Sequence, residues 1–186
     1  MKTPLIVVDC QEYFLCRSEE NGDETWEEGN ARFDRIAKLV SIYVKRKAPV
    51  YVLQYNPVGL DTGWASRKHA KVTNTDSRIR AALKGYKNKK ILNKDSDSGS
   101  DELLEAWQSG SNPSKVNFVG VNAGACVFAT ANNLWQEHKI VPYFYNELTF
   151  NTWNPGEDTE EGVAYGFANY DERDESMPIN ILTSPV

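Results

Sequence analysis

An α/β fold around a parallel sheet is predicted by three features of this sequence. Short apolar runs alternate with amphipathic stretches, the pattern of strands joined by helices. Runs such as Leu5–Val8 are apolar at every position, as in strands buried on both faces. Asp9, Lys94 and Cys126 each fall close behind a predicted strand, and ligands in such sheets bind off the strands' carboxyl ends.

Leu5–Val8 is the first strand, ending at Asp9. The acidic stretch Glu19–Glu28 reads as a solvated loop leading into a helix over Ala31–Lys47. That helix has an apolar stripe of Phe33, Ile36, Ala37, Val40 and Val44, with basic residues at its carboxyl end. Pro49 breaks the pattern, and Val50–Tyr55 is the second strand. Residues 56–75 are polar and aperiodic, and a connection of that length usually forms a lid or pocket wall. Asp76 can cap a short helix through Leu83. The basic run Lys84–Lys90 reads as a solvated face. Ile91 and Leu92 mark the third strand, Lys94 its exit, and Ser98 or Ser100 can cap a helix through Trp107.

The chain is organised around Lys115–His138, KVNFVGVNAGACVFATANNLWQEH. Val116–Val121 is a buried strand, Asn122–Ala125 a turn of small residues, and Cys126 opens an amphipathic helix carrying Phe128, Ala131, Leu134 and Trp135. Small residues let the backbone approach a ligand, and a helix start presents N–H groups and positive dipole. A thiol placed there is expected to lose its proton easily. Strands follow at Lys139–Tyr145 and Ile179–Thr183, separated by the acidic stretch Asn151–Met177, which reads as a surface excursion.

The bulk properties narrow the function. A chain of 186 residues suits one domain, 1–186, with a full core. A formal charge of −5 argues against a nucleic-acid partner and a polybasic membrane anchor. No apolar run approaches the roughly eighteen residues of a bilayer span. MKTPLIVVD reads as a strand and not as a signal peptide. Cys10, Cys16 and Cys126 are odd in number and lack metal-site spacing, which fits reduced thiols in the cytoplasm. His69 and His138 are the only histidines; neither is assigned a catalytic role.

Each reactive residue also has a plainer reading: Cys126 as small buried filler, Asp9 as a turn cap, Lys94 as a surface lysine. Together they allow nucleophilic catalysis. The Cys126 sulfur would attack an electrophilic carbon, Asp9 would take the thiol proton, and Lys94 would keep Asp9 ionised. Backbone N–H groups of Asn122 and Cys126 would hold the oxyanion.

PLIVVDCQEYF, LNKDSDSGSDELLEAW and VGVNAGACVFATANNLW, in that order, resemble the isochorismatase-like cysteine hydrolase superfamily, which includes nicotinamidases and carbamoylsarcosine amidases. The resemblance runs from about Leu5 to Asn146. It implies a Rossmann-like three-layer sandwich with a central, mostly parallel six-stranded sheet, and assembly into a homodimer or homotetramer. It implies an Asp9–Lys94–Cys126 triad and a non-proline cis peptide at Val121–Asn122. It implies a substrate pocket that includes Phe14, with Gln11 and Trp64 as further substrate-binding candidates. Asp61 and the single His69 are too few for the nicotinamidase metal site, so neither metal nor other cofactor is expected. The usual aromatic after the lysine is replaced at Ser100, within SGS, which implies a wider or more polar pocket wall. The leading expectation is a cysteine hydrolase acting on a small amide-type C–N bond through a thioester. Its alternatives are a catalytically inactive binding protein on the same fold and a vinyl ether hydrolase, which would not need Cys126.

Overall fold

The computed structural model describes residues 2–12, 14, 25–56, 74–108, 110, 112–151 and 176–186. Trp64, Cys16, most of the 56–75 connection and most of Asn151–Met177 lie outside them.

Six strands form one sheet: β1 (Leu5–Val8), β2 (Val50–Tyr55), β3 (Lys89–Lys94), β4 (Lys115–Gly120), β5 (Val141–Thr149) and β6 (Asn180–Leu182). Their order is β3-β2-β1-β4-β5-β6, and every pairing is parallel. The expected sheet is thus present, wholly and not just mostly parallel. The helices are α1 (Thr25–Lys45), α2 (Ser77–Ala82), α3 (Ser100–Trp107) and α4 (Phe128–His138).

The strand period of two divides the core into two layers. Leu5, Val7, Val50, Val52 and Val119 face one side, where they pack with Phe33, Ile36 and Val40 of α1 and Ile79 of α2. Ile6, Val8, Leu53, Val116 and Phe118 face the other, packing with Leu103 and Trp107 of α3 and Phe128, Ala131 and Leu134 of α4. The result is three layers, with β1 and β4 at the centre of the sheet.

Several boundaries differ from the sequence reading. The helix expected from Ala31 starts at Thr25, because Glu27 and Glu28 stabilise its first turn through the dipole. Gly99 occupies the α3 cap position, without a side-chain cap bond; Ser100 lies inside the first turn, and Ser98 Oγ accepts its N–H at 3.2 Å. Asp76 does cap α2, accepting the Arg78 N–H at 2.9 Å. Lys139 closes α4 in the left-handed region (φ 53°), which delays β5 to Val141. A register shift opposite Phe118–Gly120 then carries β5 on to Thr149.

The end of β4 is held against β1. Gly120 has φ +124°, and a Cβ there would stand 2.1 Å from the Val8 carbonyl oxygen. Gly120→Ala is therefore expected to lower stability by about 3 kcal/mol or more, from backbone strain together with the clash. Urea unfolding measures this. A loss below about 1 kcal/mol would mean that the strands part without difficulty.

Candidate active site

Three strand ends bring the candidate residues together. Asp9 leaves β1, Lys94 ends β3, and Cys126 follows β4 within a π-helical turn, Ala123–Val127, that runs into α4. Asp9 has φ 48°, in the left-handed region, where Asp is tolerated better than most residues. This turns its side chain out of the strand's pattern. The Val121–Asn122 peptide is cis, as the resemblance implied.

Asp9 and Lys94 have fully buried side chains, with Lys94 Nζ 2.9 Å from Asp9 Oδ2. The Cys126 thiol adjoins this pair and feels both charges, the Asp9 carboxylate and the Lys94 ammonium acting on it in opposite senses. Among the described residues no well-aligned hydrogen bond satisfies either Asp9 oxygen, so this carboxylate retains capacity to accept a proton. Lys94 also donates to the Ser96 carbonyl at 2.8 Å and lies over the Tyr55 ring, 5.1 Å from its centroid.

Burial dominates the site's electrostatics. It raises the Asp9 pKa more than the Lys94 charge and hydrogen bonds lower it. Burial disfavours the Lys94 ammonium, but Asp9 and Cys126 outweigh that effect and hold it protonated. For Cys126, burial and then the Asp9 charge push the thiol up, against the opposing pull of Lys94. The expectation of an easily ionised thiol is therefore corrected. The helix-start effect is modest beside the desolvation of a residue only 7 % exposed and next to a carboxylate. At rest the proton stays on sulfur.

The surrounding turn is braced from two sides. Ala123 N–H bonds to the Phe150 carbonyl at 3.1 Å and Gly124 N–H to Asn151 Oδ1 at 3.1 Å. Ala125 and Val127 N–H both bond to the Asn122 carbonyl. Four amides of this turn are thus committed within the protein. Thr130 links the turn to the β3–α3 loop: its Oγ1 donates to the Cys126 carbonyl at 2.7 Å and accepts Gly99 N–H at 3.0 Å. Gly99 packs so close to Leu53 that a Cβ would lie 2.5 Å from its Cδ1. Thr130→Val keeps the shape but leaves the buried Gly99 N–H unpaired. A loss of about 1–3 kcal/mol in urea unfolding is expected, and an unchanged midpoint would exclude the brace.

Among the other expected site residues, Gln11 is 2 % exposed, and both ends of its amide bond to the Tyr55 backbone, at 3.0 and 2.8 Å. It ties the end of β1 to the end of β2. Phe14 is buried in the core layer on the α1 side, whereas Cys126 belongs to the opposite layer. Trp64 lies outside the described residues. Asp97, which sequence reasoning passed over, has Oδ1 3.8 Å from Cys126 Sγ. Thr130 and Tyr55 were also passed over, and none of the three carries a spacing signal. An open cavity of about 930 Å³ lies at the opposite strand edge, lined by Lys2, Arg46, Lys115 and Tyr143 among others. It is remote from the sulfur, and size alone does not make it the reactive site.

Fold and site together define an α/β protein whose buried ion pair adjoins a thiol at the carboxyl edge of its sheet. A family profile described as "Isochorismatase domain" matches residues 3–137, and the chain belongs to that family of hydrolases. Among solved structures, a nicotinamidase/pyrazinamidase from Bacillus subtilis is similar at 16 % identity, over 97 % of this chain and 99 % of the other, with TM-score 0.68. An N-carbamoylsarcosine amidase from Thermoplasma acidophilum is similar at 17 % identity, over 100 % and 98 %, with TM-score 0.67. A MAR1 ribonuclease from Caenorhabditis elegans is similar at 18 % identity, over 98 % and 77 %, with TM-score 0.64. At such identities these likenesses show the shared fold. No curated protein matches the sequence significantly. No helix among the described residues is long and apolar enough to cross a membrane.

Proposed function

We propose that this protein is a cysteine hydrolase that cleaves an amide-type C–N bond in a small molecule without a metal. The observation that carries the reading is the fully buried Asp9–Lys94 ion pair, whose two charges bear directly on the Cys126 thiol. As sulfur attacks the carbonyl carbon, its proton passes to Asp9. Lys94 balances the charge at Asp9 before the transfer. The carbonyl oxygen takes up the electron pair and is held by the N–H groups of Asn122 and Cys126. Asp9 then gives its proton to the leaving nitrogen as the C–N bond breaks, which yields a thioester. Water, deprotonated by Asp9, attacks the thioester; the acid departs and the proton returns to sulfur. Gln11 acts by fixing the strand ends, Phe14 by supporting the wall from the core, and Trp64 as a pocket residue. The reading includes a cytoplasmic homodimer or homotetramer.

The test is intact-mass spectrometry during turnover of a panel of small primary amides, carbamoyl compounds and cyclic imides. An acyl adduct that maps to Cys126 supports the proposal. Turnover of a vinyl ether that persists in Cys126→Ala would replace it, and no adduct or product from any compound would favour a binding protein.

A pH dependence follows from burial. The Asp9 pKa lies above the ordinary carboxylate value of about 3.9, and only its ionised form accepts the thiol proton. The kcat/KM of the first amide turned over is expected to rise with pH through that raised pKa. A profile already flat below the ordinary carboxylate pKa would remove Asp9 as the base.

A further inference from the structure

Asp97 does not belong to the triad, yet its carboxylate approaches the sulfur. Its Oδ1 lies 3.8 Å from Cys126 Sγ while its side chain remains solvent-exposed. The loop presenting it is tied down almost residue by residue. Lys94 Nζ donates to the Ser96 carbonyl at 2.8 Å, and Ser96 Oγ to the Ser98 carbonyl at 2.9 Å. Ser98 Oγ lies 2.9 Å from Ser100 Oγ and accepts Asn133 Nδ2 at 3.2 Å from α4. Gly99 N–H reaches Thr130 Oγ1 at 3.0 Å, and that hydroxyl in turn holds the Cys126 carbonyl. Asp97 and Cys126 are therefore held to the same scaffold, the condition for a side chain to read a substrate and not merely pass near it.

The charge balance gives this placement its consequence. Asp9 and Lys94 cancel as an ion pair, the resting thiol is neutral, and Asp97 brings an extra negative charge beside the nucleophile. A reactive carbon must come within about 3–3.5 Å of sulfur. A donor nitrogen a few bonds away then falls within reach of Asp97. A substrate carboxylate in the same place would meet like charge.

We propose that Asp97 is the specificity-determining residue of the site and selects amide or carbamoyl substrates that carry a cationic nitrogen near the scissile carbon. This rests on the cysteine-hydrolase reading and narrows its substrate class. It disfavours anionic substrates, vinyl ether carboxylates included.

The test uses thiol reagents of equal reactive group and different charge on the full-length protein: trimethylammonium-ethyl, sulfonatoethyl and methyl methanethiosulfonate. Modification rates at Cys126 are followed by peptide mass mapping and divided by the rates of the same reagents with free cysteine. The cationic reagent is expected to outpace the anionic one by about tenfold at low salt, less as salt rises. Asp97→Asn should abolish most of that preference and Asp97→Lys should reverse it, each read as the ratio of cationic to anionic rate, which cancels any change in thiolate population that the three reagents share. A charge preference that Asp97→Asn leaves unchanged overturns the proposal, as does a faster anionic reagent in the natural protein. Because labelling needs no turnover, failure here is distinct from failure to form an acyl adduct, which would remove the hydrolase reading itself.

Discussion

Cys126→Ala is expected to abolish amide turnover, by about 1,000-fold or more, while leaving the fold intact. The substitution removes one sulfur from a small-residue turn that Phe150, Asn151 and Thr130 continue to brace. Loss of activity with an unaltered urea midpoint is thus the diagnostic combination. In the natural protein, iodoacetamide should label Cys126 ahead of Cys10. Cys10 has no exposure, and burial followed by the Asp9 and Asp76 charges pushes its thiol well above its ordinary pKa. Cys126 retains 7 % exposure and has a proton acceptor in contact. Asp9→Asn keeps the shape at the sulfur but removes that acceptor, so turnover should fall by roughly 100- to 10,000-fold. Equal labelling of Cys10 and Cys126, or amide turnover surviving in Cys126→Ala, would count against sulfur as the nucleophile.

The sheet could be read from the chain because its central strands are largely buried, β1 at every position. LIVV and VNFVGV leave little choice but a central parallel position. Asp9, Lys94 and Cys126 could be placed near one another because strand ends in a parallel sheet converge at one rim, and the three residues stand there. What sequence could not supply was desolvation. A helix start suggests a low thiol pKa, whereas the folded chain buries the sulfur and places Asp9 against it. Asp97 was hidden for a related reason. In DSDSGSDE an Asp three residues beyond Lys94 looks like any loop carboxylate. Its approach to sulfur depends on Thr130 and Asn133 drawing that loop onto α4. The structural bonds of Gln11 were not legible in the sequence. The parallel ends of β1 and β2 put the Tyr55 backbone within its reach.

Lys94→Met should cost about 3–5 kcal/mol of stability at neutral pH, the usual penalty for removing one member of a buried pair. Asp9 would then be wholly buried without its countercharge, and its pKa, already raised, would climb further. The sign follows from linkage. A folded pKa above the unfolded one means that stability is complete below the unfolded value, about 3.9, and falls as pH rises toward the folded value. The gap between Lys94→Met and the natural protein should therefore narrow as pH falls from 7 toward 4, as neutral Asp9 no longer needs the ammonium. Asp9→Asn added to Lys94→Met removes the orphaned charge and should recover about 2 kcal/mol or more at pH 7, measured as a double-mutant cycle in urea. A Lys94→Met penalty below about 1 kcal/mol, or one that does not change with pH, would mean that water reaches Asp9. The carboxylate would then be too well solvated to take a proton from the neighbouring thiol, because a hydrated base gains little from receiving it.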